Sequence, residues 1–117
     1  MNNLNDLRDE CLKIATEHGF TKATIGEDIA LMHSELSEAL EEHRKGRQPD
    51  WGWYEDKYGE SGTEEEGDKP CGIPFEMADC IIRILHFCGK YNIDIQRSVS
   101  EKMEYNRTRP YKHNKVL

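Results

Sequence analysis

Apolar side chains recur at helical spacing through four stretches of this chain, and nowhere do they alternate as in a half-buried strand. Leu4, Leu7, Cys11, Ile14 and Ala15 form one stripe, which predicts a helix over residues 3–18. Gly19 follows as a C-terminal cap, with Phe20 behind it for the accompanying hydrophobic contact. Thr24-Ile25-Gly26-Glu27 has the spacing of a capping box and opens a second helix. Its stripe is Ile29, Met32, Leu36 and Ala39 with Leu40, and it ends near Gly46.

Residues 47–72 break the pattern. They hold Pro49, Pro70, five glycines and the acidic run Glu64-Glu65-Glu66, and no periodicity survives. The segment reads as a long loop, a feature that in a compact domain is functional or disordered. It carries Trp51, Trp53, Tyr54 and Tyr58, aromatics suited either to stacking on a base or to pinning the loop to the helices.

Pro74, a favoured first-turn residue, opens a third helix that runs to Tyr91. Met77, Ala78, Ile81, Ile84, Leu85, Phe87 and Cys88 make it apolar over most of its circumference, so it is expected to be surrounded. Three other helices of one small chain do not suffice for that, which predicts a partner subunit. Asn92 ends the third helix in a left-handed conformation, and Asp94 caps a fourth that stops at Arg109, before Pro110. The expectation is a single all-α domain over residues 1–117: four helices, with a long loop between the second and third.

Composition supports an oligomer. With 117 residues, 36% hydrophobic and 33% charged, the core is thin for its length. The net charge of −7 argues against attraction to a nucleic acid polymer or an anionic membrane. No apolar run reaches the length of a membrane span, and the polar N-terminus lacks a signal-peptide hydrophobic region. Cys11, Cys71, Cys80 and Cys88 form no C-x-x-C pair and read as buried thiols in a reducing cytoplasm.

The candidate chemistry lies on the second and third helices. Glu35 and Glu38 are three apart and share one helix face, within about 60° of each other. Glu76 and Asp79 repeat the spacing on the most apolar helix, where charge is least expected. Laid antiparallel, the two helices bring four carboxylates together, an arrangement that needs a cation or bound protons. Oxygen-only ligation suits Mg²⁺ or Mn²⁺. The plainer reading is a solvated face, with Asp79–Arg83 and Glu41–Lys45 as surface ion pairs at i, i+4.

On the fourth helix Ile95, Val99, Lys102, Asn106 and Arg109 share one face, apolar first and polar later, as in a helix that leaves the core and enters a site. The last sixteen residues hold Lys102, Arg107, Arg109, Lys112 and Lys115 against Glu104 alone. Local basicity in an acidic chain points to a bound polyanion such as a phosphate chain. Other chemistries fit worse. There is no Glu-x-x-His pair for a di-iron bundle, no adjacent His-Asp pair, and no glycine-rich phosphate loop. Ser34 and Ser37 lack a base–acid pattern, and His33, His43 and His86 read as surface or packing residues.

Glu35-x-x-Glu38 and Glu76-x-x-Asp79, followed by Lys102-x-x-x-Asn106-x-x-Arg109, resemble the paired motif and C-terminal segment of the MazG-like all-α nucleoside triphosphate pyrophosphohydrolases. The resemblance runs from the second helix to the terminus, apart from the loop. It departs where the family's first motif often has an additional glutamate, here Ser34, and where Asn114 stands for a frequent glycine. The 47–72 segment also lengthens the interval between the motifs. The resemblance implies a four-helix MazG-like bundle completed as a homodimer or homotetramer. It also implies Mg²⁺-dependent cleavage of a nucleoside triphosphate to monophosphate and pyrophosphate. Glu35, Glu38, Glu76 and Asp79 would hold the metal. Lys102, Asn106, Arg109 and Lys115 would bind phosphate or sugar, and the loop's own aromatics, not the resemblance, offer Trp51 and Trp53 for the base. The competing expectations are a non-catalytic helical dimerisation module and a hydrolase of another phosphoanhydride, such as a phosphoribosyl-nucleotide.

Overall fold

The computed structural model describes residues 3–62 and 68–110. Four helices dominate it: α1 (Leu4–Glu17), α2 (Ile25–Arg44), α3 (Ile73–Lys90) and α4 (Ile95–Thr108). Their ends follow local chemistry. The Asn3 side chain accepts from the Asp6 amide at 3.0 Å, and the Asp6 carboxylate accepts from the Asn3 amide at 3.2 Å, so α1 opens with a capping box. It closes at Gly19, whose φ of 76° lets the Phe20 amide reach back to the Ala15 carbonyl at 2.8 Å. Phe20 itself does not fold back: 70% of it is exposed, against the expected capping contact. Thr24 and Glu27 form the reciprocal box of α2.

Between α2 and α3 the chain is not a loop throughout. Trp53–Glu55 (β1) pairs antiparallel with Ser61–Gly62 (β2) and with Lys69–Cys71 (β3), in the order β2-β1-β3. Strands of two or three residues are too short to carry a periodic signal, which is why the sequence reads as aperiodic. Pro70 is tolerated because β3 is an edge strand. The sheet is tied to the helix ends. The Tyr54 ring meets Phe75 edge-on at 5.7 Å, and the Arg47 guanidinium sits 4.7 Å over the Trp53 ring. Gly72 has a φ of 110° and passes so close to the Trp51 carbonyl that a β-carbon would strike it.

α3 packs between α1 and α2. Gly89 makes the close approach to α1 possible, since a β-carbon there would lie 2.9 Å from Leu12 Cβ. Towards α2, Lys90 Nζ donates to Asp28 at 2.7 Å and to the Ala23 carbonyl at 2.9 Å, a buried and doubly satisfied cation. Arg83 reaches Glu35 about two turns closer to the start of α3, so the two helices run antiparallel. The core is thin, as expected: the buried apolar side chains among the described residues are Ala15, Ala39, Cys80, Leu85 and Cys88. Cys11 and Cys71 are only half-buried, against the expectation of four buried thiols.

α3 is not surrounded within one chain. Met77, Ile81 and Ile84 are exposed on the side away from the groove that α1 and α2 flank. Asn92 adopts the expected left-handed φ of 53°, and Asp94 accepts from the Arg97 amide at 3.1 Å as the α4 cap. The first turn of α4 is stitched to α1, with the Leu4 amide donating to Gln96 and Asn5 donating to Asp94. From Arg97 to Thr108 every side chain is exposed. No helix of the described residues is long and apolar enough to cross a membrane.

Candidate metal centre

The antiparallel pairing of α2 and α3 sets Glu35 and Glu38 against the first turns of α3. Glu35, Glu38 and Glu76 each offer one carboxylate oxygen, and these three oxygens lie within 4.8 Å of one another. Glu35 is buried, Glu76 half-buried and Glu38 exposed, so the cluster opens outward through Glu38. One Glu35 oxygen accepts from Arg83 Nε at 2.7 Å. Glu76 Oε2 is buried with no hydrogen-bond partner.

Crowding has an electrostatic consequence. Burial, followed by the neighbouring Glu38 and Glu35 carboxylates and Asp79, pushes Glu76 up to about 7 from an ordinary value near 4.5. Asp79 is also raised, first by burial and then by the charge of Glu35, with Arg83 opposing. Near neutral pH, then, the cluster is poised between holding and releasing a proton. Carboxylates often crowd on surfaces without binding metal. The distinguishing features here are a buried glutamate oxygen with nothing to bond and an all-oxygen donor set that fits a hard divalent ion.

Asp79, the fourth expected ligand, lies beside the three without entering their tight group; it is exposed and lines the adjoining groove. Arg83 does not form the local pair with Asp79 that the solvated-face reading offered but crosses to Glu35. Glu41 likewise pairs with Arg44, and Lys45 with Glu42, instead of with each other. Among the described residues, the basic stripe of α4 makes its contacts away from the carboxylate cluster. Lys102 sits over Tyr105, Arg109 contacts Asn106 and Tyr105, and the packing of α4 is against α1. Lys115, with Lys112 and Asn114, lies outside the described residues. Trp53 is held by Arg47 and donates to Glu55 at 2.8 Å, which is the pinning role; Trp51 is half in solvent.

Two cations that the sequence reading did not place in the site belong to it. Arg83 neutralises Glu35, and Lys69 on β3 is close enough to Asp79 to oppose the rise in its pKa. The i, i+4 spacing of Asp79 and Arg83 hid the first. The second was hidden by the short strands, which fold residue 69 back over α3. A scan against protein-family models found no match for the chain, and searches of curated proteins and of solved structures also found none.

Proposed function

We propose that the chain is a Mg²⁺-dependent pyrophosphohydrolase of nucleoside triphosphates, a MazG-like bundle completed by a second copy, cleaving (d)NTP to (d)NMP and pyrophosphate. The observation that carries this reading is the convergence of Glu35, Glu38 and Glu76 from two helices around the unpartnered Glu76 Oε2. Glu35, Glu38, Glu76 and Asp79 would hold the cation. When bound, it supplies charge neutralisation for the polyphosphate and acidifies coordinated water.

The chain's own residues do the rest. Arg83 fixes Glu35 in place and keeps the cluster from being wholly anionic. Glu76, pushed up to about 7 without metal, would give up its proton when the cation binds. Lys69, whose charge already acts on Asp79, would add its attraction for a phosphate held there. Lys102 and Asn106 are exposed and Arg109 partly so, and on this reading the three serve the site of the second copy.

The test is pyrophosphate release from a panel of nucleoside triphosphates with and without Mg²⁺. The parent is expected to hydrolyse at least one of them only with Mg²⁺. Glu38→Gln keeps the shape, removes one ligand charge and is expected to abolish turnover. Equal activity in parent and Glu38→Gln would refute the metal-centre reading.

A further inference from the structure

A groove of about 610 Å³ lies between α1 and α2 with α3 as its floor. That volume falls within the range of small-molecule sites, about 300–1,000 Å³. It is continuous with the carboxylate cluster, because Glu35 belongs to both and Asp79 lines the same end. Away from that end the lining turns apolar: Ile14 from α1, Leu31 from α2 and Ile82 from α3. Phe20 adds an aromatic ring at the rim, largely in water.

The polar groups of the floor differ in one respect. Of those that line it, Arg83 is engaged by Glu35, and Asp28 is engaged by Lys90 from outside the lining. His86 also lines the groove, yet its Nε2 is shielded from water and has no hydrogen-bond partner. Burial, with Lys90 next, holds the imidazole below its ordinary pKa, so it is neutral at pH 7 and its Nε2 can donate or accept according to tautomer. A turn of the imidazole would bring Nε2 to the groove, and a ligand that satisfies it there would favour that turn. An apolar slot, an exposed aromatic ring and one unsatisfied neutral nitrogen suit a flat heterocycle with hydrogen-bonding edges. His86 lies seven residues beyond Asp79 on α3, about 10 Å along the axis, which leaves room for a sugar between ring and phosphates.

We infer that this groove seats the nucleobase of the substrate, stacked on Phe20 with its edge turned to His86, while the triphosphate lies on the carboxylate cluster. The inference rests on the pyrophosphohydrolase reading and adds to it the side chains that choose the base. It also moves the stacking role away from Trp51 and Trp53.

The test measures Mg²⁺-dependent hydrolysis of all common nucleoside and deoxynucleoside triphosphates by the parent, Phe20→Ala and His86→Phe. Phe20 is exposed, so its truncation leaves the packing intact, and thermal unfolding of both variants checks this. Stacking of a base on an aromatic ring is worth enough that Phe20→Ala is expected to raise KM for the preferred nucleotide about ten- to hundredfold at near-parental kcat. His86→Phe keeps a ring in place and is expected to flatten the preference among bases. If the parent hydrolyses nucleotides and both folded variants keep its KM and its ranking of bases, the base binds elsewhere. This inference then fails while the enzymatic reading stands; Trp51→Ala, showing the KM effect instead, would locate the base at the sheet. If the parent hydrolyses no nucleotide with Mg²⁺, the enzymatic reading fails and this inference with it.

Discussion

Glu76 concentrates the electrostatic conflict of this molecule. Its carboxyl ordinarily titrates near 4.5 and in the folded chain is pushed up to about 7, by burial first and by Glu38 and Glu35 next. The consequence for stability has a definite sign. Below pH 4.5 folded and unfolded chains both hold the proton. Between pH 4.5 and about 7 the folded chain keeps it and the unfolded chain has released it, so rising pH favours unfolding. Asp79, also raised, acts in the same direction. Metal-free protein is therefore expected to lose melting temperature across that window. Glu76→Gln, which removes the titration and much of the repulsion, is expected to flatten the loss and to melt higher than the parent at pH 7.5. Mg²⁺ should raise the parent's melting point, by the equivalent of about 2.7 kcal/mol at one hundred times its dissociation constant, and leave Glu76→Gln little changed. Thermal unfolding at several pH values, with and without Mg²⁺, measures all of this. A parent whose melting point ignores both pH in that window and millimolar Mg²⁺ would overturn the account of the cluster. At this scale the spacing of Glu35, Glu38 and Glu76 already placed three carboxylates on facing helices. It did not reveal that Arg83 crosses to Glu35, because a sequence shows the local i, i+4 alternative and not the helix opposite.

The elements were legible where their ends carry their own chemistry. The Thr24–Glu27 box, Gly19, Asn92 and Asp94 mark the helix limits through hydrogen bonds that each residue type makes locally. The three short strands were not legible, because their pairing depends on residues 53–55 meeting 69–71 across a long interval. Gly89 belongs to the same class: within a helix it looks like a defect, and only the packing of α1 on α3 gives it a role. Gly89→Ala tests that role against a known opposing effect. Alanine favours an exposed helix over glycine by about 1 kcal/mol. Here its β-carbon would meet Leu12 Cβ at 2.9 Å and the Arg8 carbonyl at 3.3 Å, neither of them the free end of a flexible chain. Overpacking of that kind costs about 1–3 kcal/mol, so Gly89→Ala is expected to lower stability in urea unfolding. A variant as stable as the parent would mean that α1 is not held against α3 at this point.

The whole molecule is open on two sides of α3. One side is the groove with Asp79, Arg83 and His86. The other carries Met77, Ile81 and Ile84, which at about 100° per residue point nearly opposite to those three. On α2, Ile29, Leu36 and Leu40 form a second exposed apolar stripe, turned away from Glu35 and Leu31. Ile81 is 55% exposed, and no large side chain among the described residues is fully buried. The radius of gyration is 17.0 Å, against about 13 Å for a compact domain of about 100 residues. Exposed apolar side chains of this size on two packed helices are what an association surface calls for. A second copy is the expected occupant, since a two-fold contact matches a patch to itself and would bury the apolar face while leaving the groove open. The parent is therefore expected to sediment as a dimer or larger at micromolar concentration. Ile81→Glu would be introduced twice at a two-fold interface and is expected to yield a folded monomer, because the side chain is already in water within one chain. If the α4 stripe serves the partner's site, that monomer should also lose nucleotide hydrolysis with its own carboxylates untouched. Sedimentation, circular dichroism and activity on the same samples separate these outcomes. A monodisperse monomeric parent would refute the interface, and an active Ile81→Glu monomer would show that one chain holds the complete site.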